Sequence, residues 1–156
     1  MGIVKKVERV EDVKFMKGSF PVKFAYTMPE HHEKFFVELK KKGNFTGGVC
    51  DKCGKVYVPP VMFCEECFVR VKKIVKIPAT GILEAFTVTD TNAHGDPLPA
   101  PQVFGLIRLQ GASTVLMHKV LAPAAKCKIG MKVKARLVAA NKRKGSITDI
   151  EGFAPA

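Results

Sequence analysis

The rhythm of apolar and polar positions changes along this chain, and each change predicts a new element. From Phe20 to Met28, "FPVKFAYTM" alternates the two kinds of residue, which predicts a strand or an ordered extended arm. Pro29 then opens "PEHHEKFFVELKKKG", where Phe35, Phe36 and Leu39 form an apolar stripe at helical spacing. Proline suits a first helical turn, Glu30 and Glu33 favour the positive end of the helix dipole, and Lys40 to Lys42 favour the negative end. Gly43 can stop the helix, so a helix is predicted from about residue 29 to residue 42. From Ile82 onwards the period falls to two. "GILEAFTVTDT", "QVFGLIRLQG", "STVLMHKVL", "KIGMKVKARLVA" and "GSITDIEGFAPA" each read as a strand, with Met131, Val133, Ala135 and Leu137 alternating cleanly in the fourth. "NAHGDPLPAP", residues 92–101, reads as a loop, and Pro78 to Gly81 as a linker or bulged turn. Five short strands with glycine-rich connections predict a small closed barrel, and the OB-fold is the commonest barrel of that size.

Between helix and barrel lies "CDKCGKVYVPPVMFCEEC", which holds Cys50, Cys53, Cys64 and Cys67 as two CxxC pairs. Two such turns bring four thiolates to the corners of a tetrahedron, the donor set of a structural zinc ion. Iron in a rubredoxin-like site uses the same ligands, and the spacing leaves that alternative open. A thioredoxin-like redox centre needs only one CxxC at a helix start. Each knuckle needs small or flexible residues after its second cysteine. Gly54 meets that need, whereas Phe68 predicts a less regular second turn. Four protein ligands leave no open coordination position, so the metal is expected to be structural rather than catalytic.

Composition narrows the class. Apolar residues make up 47% and charged residues 26%, which describes an ordinary globular chain. No apolar run is long enough for a membrane span, and "MGIVKKVERVEDVKF" has no apolar leader segment. A cytoplasmic location with reduced thiols is therefore expected. Lys and Arg number 26 against 14 Asp and Glu, a net charge of +12, which favours an anionic partner. The lysines are scattered, with no interleaved aromatics of the kind a base-stacking surface requires.

Few residues offer chemistry beyond the cysteines. Cys127 lies between Lys126 and Lys128, which would favour its thiolate, but it reads first as a small buried apolar residue. His31 and His32 read as a solvated pair on the first helical turn, with a substrate or interface role as the alternative. His94 shares a loop with Asp96, and His118 reads as a satisfied residue of an apolar strand. No nucleophile–base pair and no pair of carboxylates emerges, so no catalytic residue is expected.

The order of helix, cysteine knot and barrel resembles a family of acyl-CoA-associated proteins in which a rubredoxin-like zinc ribbon precedes an OB-fold. The resemblance rests on "CDKCGKVYVPPVMFCEECF", "GILEAFTV", "PQVFGLIRL", "IGMKVKARL" and the terminal "FAPA", and spans about residues 28–156. It implies a mostly β fold in three parts: an N-terminal strand or arm and helix at 1–45, the zinc ribbon at 46–78 and a five-stranded OB-fold barrel at 79–156. "GSFPVKFAYTM" looks like the longer members, which carry an extra strand before the helix. Val61 and Glu65 depart from the usual Pro-Pro-Arg and Cys-Pro of the family, so no arginine role carries over to position 61. The resemblance implies a non-catalytic accessory subunit of a thiolase-superfamily enzyme, which stabilises the complex and helps bind the acyl-CoA. Acetoacetyl-CoA thiolases, steroid side-chain aldolases and benzoylsuccinyl-CoA thiolase are the partners of such proteins. Lys119, Lys126, Lys128 and Lys132 are the expected contacts for CoA phosphates. The contrasting expectation is a single-stranded nucleic-acid-binding module. The barrel's aromatics (Phe86, Phe104 and Phe153) are few for that role, and Tyr26 and Tyr57 lie outside it.

Overall fold

The computed structural model describes Arg9, Glu11 and residues 24–92 and 94–156. Helix α1 runs from Glu30 to Lys42. Pro29 stands just outside it as the N-cap, and Gly43 closes it in the left-handed conformation, donating its N–H to the Leu39 carbonyl at 2.9 Å. Ion pairs Lys34–Glu30 and Lys42–Glu38 bridge successive turns of the exposed face. The buried stripe is His31, Phe35 and Leu39, while Phe36 is half-buried. The arm expected over residues 20–28 lies partly outside the described residues. Residues 24–28 form no strand, and Phe24 and Tyr26 expose 72% and 87% of their surface.

A small sheet follows, ordered β2-β1-β3, from β1 (Phe45–Val49), β2 (Val56–Tyr57) and β3 (Lys73–Ile77). Only Pro78 and Ala79 separate β3 from the barrel, a short hinge where a linker or bulge was expected. The barrel comprises β4 (Thr80–Thr91), β5 (Pro97–Leu109), β6 (Leu116–Val120), β7 (Lys132–Leu137) and β8 (Ile150–Pro155). It closes in the order β4-β5-β6-β8-β7, as the OB-fold expectation requires. All neighbours are antiparallel except β6 and β8, which meet in parallel at Val120 and Phe153. The predicted loop at 92–101 is shorter than expected. Pro97 to Pro101 already belong to β5, so the loop ends at Asp96. The register slips between Thr89 and Thr91, so the prolines sit beside a bulge rather than in a regular ladder. The last predicted strand likewise begins later, after a single helical turn at Ile147–Asp149.

The three parts share one core. Phe35 of the helix lies 6.1 Å from Phe45 of β1, and Phe45 lies 6.4 Å from Phe153 of β8 (ring centroids). Leu83, Ile107, Val133 and Ile150 continue that core through the barrel. Among the described residues no helix is long and apolar enough to cross a membrane.

Asp149 fixes the loop between β7 and β8. Its carboxylate accepts N–H groups from Lys144 at 2.8 Å, Gly145 at 2.7 Å and Ser146 at 3.4 Å. Burial alone would raise its pKa, but these donors outweigh burial and hold it below the ordinary value. A carboxylate depressed in this way stabilises the fold above its unfolded pKa, and that stability is lost as the pH falls through the folded pKa. Asp149→Ala strands buried donors and is expected to cost about 2 kcal/mol in urea unfolding at neutral pH. The deficit relative to wild type shrinks on acidification below about pH 4, where the wild type loses its own advantage. A deficit that does not change with pH would contradict this role.

Candidate metal centre

Each CxxC turn is built the same way. Gly54 donates its N–H to the Cys50 carbonyl at 2.8 Å, and Phe68 donates to the Cys64 carbonyl at 2.9 Å. The amides of Cys50 and Cys64 return bonds to the Lys55 and Val69 carbonyls. Gly54 has φ +73° and Phe68 φ +54°, so both knuckles need a left-handed residue after the second cysteine. The second turn is thus as regular as the first, contrary to the expectation from Phe68. The turn's own backbone bonds, Phe68 N–H to the Cys64 carbonyl and Cys64 N–H to the Val69 carbonyl, hold this conformation, while the phenyl group projects into solvent, 84% exposed.

The four Sγ atoms lie within 4.8 Å of one another, with Cys53 and Cys64 3.6 Å apart. None of the four cysteines is joined in a disulfide. A tetrahedral zinc ion with bonds of about 2.3 Å places its sulfurs about 3.8 Å apart. Cys50 and Cys64 are buried, Cys67 is half-buried and Cys53 faces solvent. The Tyr57 hydroxyl lies 3.2 Å from Cys64 Sγ, and the Cys67 N–H donates to that sulfur at 3.4 Å. Tyr57 and the backbone N–H groups hold the Cys64 thiol down at about 6 against its burial. Burial pushes the Cys67 thiol up to about 12, with the neighbouring thiols adding to the rise. Four sulfurs this close cannot all be ionised without a compensating cation, and a divalent metal supplies that charge. The donor set therefore fits zinc or iron, with no position left for substrate. Lys55, paired with Glu66 and 3.8 Å from Glu65, links the two knuckles outside the sulfurs.

Contacts that the sequence did not reveal hold the knot against the rest of the fold. The β5–β6 turn reaches the ribbon through Ser113 and Thr114. Val56 donates to Ser113 Oγ at 3.0 Å, Ser113 N–H donates to the Val56 carbonyl at 2.8 Å, and Val58 donates to Thr114 Oγ1 at 2.9 Å. Arg108 grips the Glu84 carboxylate through two nitrogens and donates to the Ser113 carbonyl, which orients that turn. His31 is buried and its Nε2–H donates to the Val71 carbonyl at 2.8 Å. This corrects the reading of His31 as solvated, because its place one turn before Phe35 puts it on the buried stripe. His32 is half-buried.

The remaining candidates do not assemble. Cys127 is buried, its Sγ 3.5 Å from the Pro123 carbonyl oxygen. His94 is exposed, and the Asp96 carboxylate accepts from Asn92 instead. His118 is half-buried against Phe153, and burial lowers its pKa. Backbone groups of Ile147 and Lys119 bond to the ring while Nδ1 is left without a partner, so it is only in part the satisfied residue expected. Lys119, Lys126, Lys128 and Lys132 are all exposed. Of these only Lys132 lines the open cleft of about 550 Å³ beside Ile82, Arg108 and Leu109. Phe86 and Phe104 are half-buried and Phe153 is buried, so these rings form no exposed stacking platform on the barrel.

Comparison with known proteins matches residues 37–72 to the ChsH2 rubredoxin-like zinc ribbon domain and residues 74–138 to the ChsH2 C-terminal OB-fold domain. Among curated proteins none matches. A solved DUF35-family protein of unknown function from Sulfolobus solfataricus is 24% identical, with a TM-score of 0.62. That alignment covers 81% of this chain and 86% of the other. A second, described as an Ltp2-ChsH2(DUF35) aldolase, is 22% identical with a TM-score of 0.60, and covers 84% of this chain and 98% of the other.

Proposed function

We propose, because this chain belongs to the ChsH2 family of zinc-ribbon and OB-fold proteins, that it is a non-catalytic accessory subunit of a thiolase-superfamily enzyme acting on an acyl-CoA. In this reading the partner provides the nucleophile and base. The present chain stabilises the complex and helps bind the acyl-CoA, with the exposed Lys119, Lys126, Lys128 and Lys132 as contacts for its phosphates. The observation that carries the reading is the pair of ChsH2 matches in succession over residues 37–72 and 74–138. The aldolase in which a ChsH2 protein is named together with Ltp2 supports it.

Tagged chain, co-expressed with the product of a neighbouring gene of the thiolase superfamily, is expected to co-purify with it at a fixed ratio. The chain alone should cleave no acyl-CoA thioester. Turnover by the isolated chain, or failure of any thiolase-type protein to co-elute, would remove the reading. The alternative of a single-stranded nucleic-acid module predicts instead that an oligonucleotide binds tightly at physiological salt.

A further inference from the structure

The geometry points to the outer face of β7 as an electrostatic docking strip for an extended acidic segment of a protein partner. The strip is Lys132, Lys134 and Arg136, exposed at alternate positions, while Val133 turns inward and is buried. Cross-strand neighbours share a face. Beside Lys132 stands Ile82, beside Lys134 stand Thr80 and Ala154, and beside Arg136 stands Gly152. Every neighbour is apolar or small, and none is acidic. Glu84 is engaged by Arg108, Glu151 pairs with none of the three, and among the described residues they make no ion pair.

Three like charges about 7 Å apart on one strand repel one another and do nothing for folding. Cations often protect exposed sheet edges, but β7 lies inside a closed barrel and is paired on both sides, so it has no edge to protect. Lys132, at the cleft end, is shared with the proposed CoA contacts; at Lys134 and Arg136 the backbone is engaged in those two ladders, which leaves no cradle of free N–H groups for a compact phosphate. Phe86, Phe104 and Phe153 present no exposed ring for a stacked base. An extended acidic segment repeats its carboxylates with the same two-residue period, so successive carboxylates can face successive cations. Such matching sets register and speeds encounter, and it weakens with salt. This deepens the accessory-subunit reading by giving the chemistry of the partner's contact. Its test uses the isolated chain, so it can fail while that reading stands.

The probe is a fluorescent ten-residue peptide of alternating Glu and Thr, followed by anisotropy at low salt against the metal-loaded full chain. A thymidine decamer serves as the competing polyanion. K134E/R136E leaves Lys132 in place because that residue also lines the cleft. It is expected to weaken peptide binding at least about tenfold, while K72E/K73E, an equal charge change on the exposed side of the ribbon, changes it less than about twofold. K134Q/R136Q gives an intermediate loss and serves if the charge reversal fails to fold. Equal losses for the two charge-reversed variants, or none for K134E/R136E, would overturn the strip. A decamer that binds more tightly than the peptide and is lost with K134E/R136E would assign the face to nucleic acid instead.

Discussion

Cys64→Ser is expected to abolish stoichiometric metal retention and to unfold the ribbon. Cys64 is fully buried, receives the Cys67 N–H and lies against the Tyr57 hydroxyl, so no other donor can reach its place. Serine is a poor ligand for a metal held by soft sulfur donors. Structural zinc binding is worth about 10–16 kcal/mol in small zinc domains, more than most small folds hold in total. The damage should reach the barrel, because Phe45, Val58 and Ile77 of the ribbon belong to the shared core. Metal analysis of purified protein should give one equivalent of zinc or iron per wild-type chain and less than half in the variant. The variant's ribbon should also be cut rapidly by protease. Full metal content and unchanged protease resistance in Cys64→Ser would refute the assignment of these four ligands.

The second large effect is expected at Phe35. Its ring is fully buried, meets Phe36 edge-on and connects through Phe45 to Phe153. Phe35→Ala leaves a cavity where helix, ribbon and barrel meet, at a cost of about 3–5 kcal/mol. Phe36 is only half-buried, and its replacement by alanine should cost less than half as much. Urea unfolding of the two variants decides this. Equal costs would mean that the helix does not share the barrel core.

Much of this fold was legible because the relevant signals are local. Helix α1 carries its capping residues within its own sequence, and β7 shows its buried face through simple alternation. The metal knot was legible because the chemistry fixes the spacing of its donors. What the sequence hid was long-range or compensated. His31 looks polar and solvated until Val71, forty residues later, is seen to accept its proton. Ser113 and Thr114 look like ordinary turn residues, yet they join the ribbon to the barrel across more than fifty residues. Pro97, Pro99 and Pro101 signalled a loop, but a slipped register lets them lie along a strand. Phe68 looked unsuited to its turn because residue type does not show the backbone bonds, from Phe68 to the Cys64 carbonyl and from Cys64 to the Val69 carbonyl, that hold it left-handed. The exposed lysines expected to meet CoA phosphates have no local signature, and only Lys132 lines the cleft.

In the proposed function this chain completes another protein rather than acting alone. Its most direct test is reconstitution. The proposed thiolase-type partner, purified without this chain, is assayed for cleavage of an acyl-CoA while metal-loaded chain is added stepwise. Little turnover is expected at first, then a rise that saturates at a fixed ratio of the two chains, with no rise when Cys64→Ser replaces the wild type. Full turnover by the partner alone, unchanged by added chain, would contradict it.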